Sequence, residues 1–107
     1  MTSTDSKSLA HTVYFTLKDS SDEAREALVE ACHKYLNDHP GIVHFSAGRR
    51  AEAYQRDVND ARHHVGLVLV FATEEDHERY QTSDRHQTFI SEQNSNWAEV
   101  RVFDTLV

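Results

Sequence analysis

The chain has 107 residues and a formal net charge of −7 at pH 7, from 11 Lys and Arg against 18 Asp and Glu. That length is one domain, able to bury about two-thirds of its unfolded surface. Binding nucleic acid needs clustered cations, and the single basic doublet, Arg49-Arg50, is soon followed by Glu52 and Asp57, which argues against such a partner. A membrane partner is equally unexpected, because no basic amphipathic segment is present. Cys32 is the only cysteine, so no intrachain disulfide can form; this suits a reducing cytoplasm. Met1–Ser8 is polar and lacks the apolar core of a secretory signal. It reads as a flexible tail (1–8) before a single domain (9–107).

His11–Lys18 alternates, with His11, Val13, Phe15 and Leu17 on one face and Thr12, Tyr14, Thr16 and Lys18 on the other. This is a strand, and its β-branched and aromatic content agrees. His11 heads the apolar face. It is open to two readings: a hydrogen-bonded or hydrated strand-edge histidine, or a site group aimed under the layer that covers that face. Asp19–Asp22 supplies turn and cap chemistry for a helix running to about Asn37. Ala24, Ala27, Leu28, Ala31, Tyr35 and Leu36 form its apolar stripe, and Cys32 lies near the stripe's edge as a small buried hydrophobe. His33 falls on the solvated face. Pro40-Gly41 ends this unit, and Ile42–Gly48 reads as a second strand.

Arg49–His64 is charged and reads as a loop or wide hairpin. Adjacent residues on a strand point to opposite faces, so His63-His64 cannot easily share an ion. No spaced Cys/His/Asp/Glu set has the pattern of a zinc site, and neither a metal nor a cofactor is expected. Val65–Phe71 follows, Val-Gly-Leu-Val-Leu-Val-Phe. Both of its faces are apolar, so it is a central strand that needs cover on each side.

Thr73 caps a short helix to about Gln81, with Asp76 at the reciprocal position of a capping box. His77 is expected in solvent there. Thr82-Ser83-Asp84 interrupts and caps a second helical piece over about Asp84–Glu92, in which His86, Phe89 and Ile90 share the sheet-facing side. Trp97–Asp104 is the last strand, with Ala98, Val100 and Val102 opposite Trp97, Glu99, Arg101 and Phe103. The order β-α-β-β-α-β is the ferredoxin-like α+β plan, a four-stranded antiparallel sheet with helices on one face. The other face of the central strand needs a lid, and a second copy of the same sheet is the simplest one. A homodimer is therefore expected.

Taken together, His11-Thr-Val-Tyr-Phe-Thr-Leu-Lys18, Pro40-Gly41 with a strand closing on Gly48, His64–Phe71, Tyr80-x5-His86-x2-Phe89 and the terminal Val102-Phe103-Asp104 resemble the stress-responsive A/B barrel (Dabb) family. The resemblance implies a dimeric α+β barrel with helices outside. Plant polyketide-cyclising relatives carry a general-base histidine in a Tyr-x5-His motif, here resembling Tyr80 and His86. A first-strand histidine, here resembling His11, also lines their site. By that resemblance His86, Tyr80 and His11 are the candidate catalytic residues, around a small apolar or aromatic ligand. A neutral imidazole takes a proton beside a carbonyl while a tyrosine hydroxyl holds the oxyanion. The family's His-Pro pair is replaced by Ser83-Asp84, and with Arg85 this places charge at the expected mouth. Two other readings stand beside it: a cofactor-free monooxygenase of the antibiotic-biosynthesis type, with Trp97 or Tyr14 lining a pocket, and a non-catalytic structural dimer with His86 a core histidine.

Overall fold

The computed structural model describes residues 7–107. The elements are β1 (Leu9–Leu17), α1 (Asp22–Leu36), β2 (Ile42–Arg49), β3 (Val65–Phe71), α2 (Glu74–Gln81), α3 (Asp84–Gln93) and β4 (Trp97–Leu106), with one 3-10 turn over Asn94–Asn96 leading into β4. The strands form one antiparallel sheet in the order β2-β3-β1-β4. This is the ferredoxin-like α+β fold, with its second helix split into α2 and α3. Of the stretch read as a flexible tail, Met1–Ser6 lies outside the described residues. Ser8 is tied down, exchanging two backbone hydrogen bonds with Val107 at 3.0 and 2.8 Å.

The apolar strand is central, as its two-faced composition requires. Val65, Leu67, Leu69 and Phe71 are all fully buried against the helices, each contributing about 1.5–3 kcal/mol of burial. On β1 the alternate set Leu9, His11, Val13, Phe15 and Leu17 is buried on the same side. α1 begins at Ser21, whose side chain accepts from the Ala24 amide at 3.2 Å. Its buried face is Leu28, Ala31, Cys32 and Leu36. Cys32 is thus in the core rather than at the stripe's edge, and Ala27, expected on the stripe, is exposed.

β4 differs from the simple alternation. The β1–β4 register shifts between Thr16 and Leu17, so that Thr16 pairs with Glu99 and Leu17 with Trp97. One extra residue in the strand reverses the facing of what precedes it. Trp97 therefore joins Val100 and Val102 on the helix side, with its ring 5.0 Å from Phe15 and 5.7 Å from Phe89.

On the outer face, the segment between β2 and β3 covers one end of the sheet. Thr16 Oγ1 donates to the Arg62 carbonyl at 2.6 Å, Arg101 pairs with Asp60 at 2.9 Å, and His63 packs edge-on to Tyr14 at 5.0 Å. Leu17 N donates to His64 Nδ1 at 3.0 Å, so the adjacent histidines serve separate structural roles. The other end of this face remains open. Thr12, Val68 and Val70 are only partly buried there, and Phe103 is half exposed.

Candidate functional site

The site is organised by the interruption between α2 and α3. Ser83 Oγ donates to the Tyr80 carbonyl at 2.8 Å and accepts from the His86 amide at 3.2 Å. One hydroxyl thus fixes the last turn of one helix against the first turn of the next. It sets the Tyr80 and His86 rings edge to face, 4.7 Å apart. Tyr80 is buried, and four imidazoles stand around its ring: His86, His39 at 5.0 Å, His11 at 5.9 Å and His77 at 6.5 Å.

His11 reaches this cluster from the apolar face of β1, and its Nδ1 lies 2.6 Å from Asp104 Oδ1 on β4. An imidazole N–H donating to a carboxylate fixes the ring's orientation. His77 Nε2 stands 3.2 Å from His11 Nδ1 and 3.2 Å from the Gln81 side-chain amide. His77 is buried, not solvated: α2 turns His77 and Tyr80, three residues apart, onto one face against the sheet. His39 is buried as well, its Nε2 donating to the Tyr35 carbonyl at 2.8 Å.

A cavity of about 300 Å³ opens beside these rings. Its polar lining is His11, Tyr80, Gln81 and His86; its apolar lining includes Val13, Phe15, Leu67, Phe89, Trp97 and Val102. The three sequence-derived candidates thus face one space. Trp97 lines it, whereas Tyr14 faces the opposite side of the sheet. Neither Asp84 nor Arg85 belongs to the lining; Arg85 instead donates to the carbonyls of Lys34 and Asn37 at 2.9 Å, closing the end of α1. The Arg85 charge expected at the mouth is therefore engaged at the end of α1 instead.

Electrostatics separate the groups. Burial, reinforced by His11, His39 and His77, pushes the His86 imidazole down to about 4. At neutral pH it is uncharged and free to accept a hydrogen bond. Its Nδ1 is buried and meets no hydrogen-bond partner among the described residues. Burial, with a lesser contribution from Cys32, raises the Tyr80 hydroxyl above its ordinary range, so it stays a donor. Burial and the nearby His11 lower His77, against the opposing pull of Asp104 and two glutamates. Burial also lifts the Cys32 thiol to about 12, which leaves it an inert core group.

The sequence reading missed His39 and His77. His39 sits in a turn, where no periodicity marks it. For His77 the signal was available, since His77-x2-Tyr80 places both on one helical face.

Fold and cavity define a small ferredoxin-like α+β domain whose ligand-sized space lies between sheet and helices. Residues 9–107 match the Stress responsive A/B Barrel Domain (Dabb), and the chain belongs to that family. No match was found among curated proteins. Among solved structures it is similar to a dimeric ferredoxin-like protein of unknown function from Thermobifida fusca YX (13% identity, 96% of this chain and 93% of that one, TM-score 0.79). It is also similar to a Dabb family protein with a ferredoxin-like fold from Mesorhizobium loti MAFF303099 (23% identity, 94% and 97% covered, TM-score 0.78). A third is the hydroxynitrile lyase from Passiflora edulis (13% identity, 96% and 95% covered, TM-score 0.75). At these identities the likeness is one of fold. Among the described residues no helix is long and apolar enough to cross a membrane.

Proposed function

We propose that the protein is a homodimer that binds a small aromatic or apolar molecule carrying a hydroxyl or carbonyl group in the cavity at Tyr80 and His86. One observation carries this reading: His86 lines the cavity and its buried Nδ1 has no hydrogen-bond partner among the described residues. A buried acceptor without a partner costs about 1–3 kcal/mol, and a ligand hydroxyl donating to it removes that cost. The cavity volume is at the small end of ligand pockets, about 300–1,000 Å³, which suits a monocyclic aromatic. The second copy covers the open end of the outer face around Val68 and Val70, and the Thermobifida relative is described as dimeric.

For a ligand with two carbonyl groups, the same set supports cyclase-like chemistry. His86 Nδ1 takes the proton from the carbon beside one carbonyl, and the Tyr80 hydroxyl donates to the enolate oxygen. The enolate carbon then forms a bond to the second carbonyl carbon, and the imidazolium returns its proton to the resulting alkoxide. An imidazole held near 4 is a weak base at neutral pH. The developing enolate offsets this, because an opposite charge in an apolar cavity favours the imidazolium. His11, oriented by Asp104, lines the same wall.

The test is a thermal-shift screen of wild type and His86→Ala against resorcinol, 1-naphthol and triacetic acid lactone. Binding at about one hundred times the dissociation constant stabilises the native state by roughly 2.7 kcal/mol. A rise in Tm in wild type, lost in His86→Ala, is the expected result. No rise with any compound, together with a variant that only melts lower, would make His86 a core histidine. Oxygen uptake with hydroquinone would favour the monooxygenase reading instead.

A further inference from the structure

We propose that His11, His77 and Asp104 form a binding site for a divalent transition-metal ion, adjoining the cavity through His11. Their donor atoms converge: His11 Nδ1 is 2.6 Å from Asp104 Oδ1, His77 Nε2 is 3.2 Å from His11 Nδ1, and His77 Nε2 is 3.9 Å from Asp104 Oδ1. Bonds of about 2.0–2.2 Å at octahedral to tetrahedral angles place neighbouring donors roughly 3.0–3.5 Å apart. The three observed separations bracket that range, so small movements around one centre satisfy it.

Hydrogen bonding closes this cluster only with the help of Gln81. His11 Nδ1 carries at most one hydrogen. If that hydrogen goes to Asp104, His77 Nε2 is left to accept from the Gln81 amide at 3.2 Å. If His77 Nε2 donates to His11 Nδ1 instead, Asp104 presents an oxygen to a nitrogen lone pair at 2.6 Å. Both imidazoles are buried, 5% and 7% exposed, so water competes little for their nitrogens. A dication accepts electron pairs from all three groups at once.

The donor set selects the ion. Imidazole suits first-row transition metals, and two histidines with one carboxylate leave coordination positions open, as in catalytic zinc and ferrous sites. Gln81 adjoins His77, and rotating its amide turns the oxygen toward the same point. Asp104 is partly exposed on the edge strand β4, which gives an ion a way in. Glu74 and Glu78 lie along the neighbouring groove with His77 and favour cations there. The ligands lie 66 and 93 residues from His11 in the chain, which is why no metal spacing is visible in the sequence. This site does not rest on ligand binding at His86.

The test uses tag-free protein stripped with EDTA and titrated with ZnCl2 by calorimetry and with CoCl2 by visible absorption. One ion per chain is expected, with d–d bands of a nitrogen and oxygen environment. His77→Ala and Asp104→Asn should each weaken binding at least about tenfold, the lower end of what even an outer-shell change costs. Asp104→Asn keeps the size of a partly exposed side chain and serves if His77→Ala fails to fold. His86→Ala should keep the metal while losing the phenolic ligand, so the two proposals fail independently. The proposal is overturned if wild type binds no stoichiometric ion. It is also overturned if both variants bind like wild type, or if replacing the exposed His44 removes the binding instead.

Discussion

Replacing His86 by glutamine should flatten the pH dependence of stability. In the native state this imidazole is held at about 4, against 6.5 in the unfolded chain. Between those values the unfolded state binds a proton that the native state refuses. The contribution is therefore fully present above pH 6.5 and is lost as the pH falls through about 4. At about 1.36 kcal/mol per pH unit the ceiling is roughly 3 kcal/mol. The ring is only part-buried, and solvent screening brings the expected figure to about 1–2 kcal/mol. His63, His64 and His77 are also lowered by burial, but their effect is common to both proteins and cancels in the difference. Urea unfolding followed by fluorescence of Trp97, the only tryptophan, reads it at fixed protein concentration. Between pH 7.5 and 4.5 wild type should lose about 1–2 kcal/mol more than His86→Gln. Equal losses, or a larger loss in the variant, would refute a depressed, buried His86.

Two further outcomes test the scaffold. Gly41 has φ +85°, and a Cβ there would run into the Asp76 carboxyl that accepts from the Thr73 hydroxyl at 2.9 Å. Gly41→Ala should cost about 2–3 kcal/mol by urea unfolding, from left-handed backbone strain and a disturbed helix cap; an unchanged midpoint would contradict it. On the open outer face, Val70→Lys should turn a dimer into a monomer by light scattering at micromolar concentration, and a wild type that is itself monomeric would sink the homodimer.

Much of the fold was legible because periodicity reports burial directly. Val65–Phe71 matches β3 residue for residue, and the breaks at Pro40-Gly41 and Ser83 fall just before β2 and α3 begin. What periodicity cannot carry is a register shift. The bulge opposite Thr16 and Leu17 depends on how two strands pair, and it moved Trp97 to the cavity side. Asp76 shows a similar limit: it bonds the Thr73 hydroxyl rather than reaching back as a full capping box. In the site, the spacing of His86 with Phe89 and Ile90 put that histidine on the sheet-facing side, while Tyr80 entered only through the family resemblance. His39 and the His11–His77–Asp104 cluster are tertiary, made by segments far apart in the chain.

The most direct test of a ligand cavity at Tyr80 and His86 is a histidine ring NMR titration with resorcinol. Saturable shifts of the His86 and His11 resonances are expected, while those of the exposed His33 and His44 stay in place. No saturable shift, or movement confined to the exposed histidines, would contradict a ligand cavity at Tyr80 and His86.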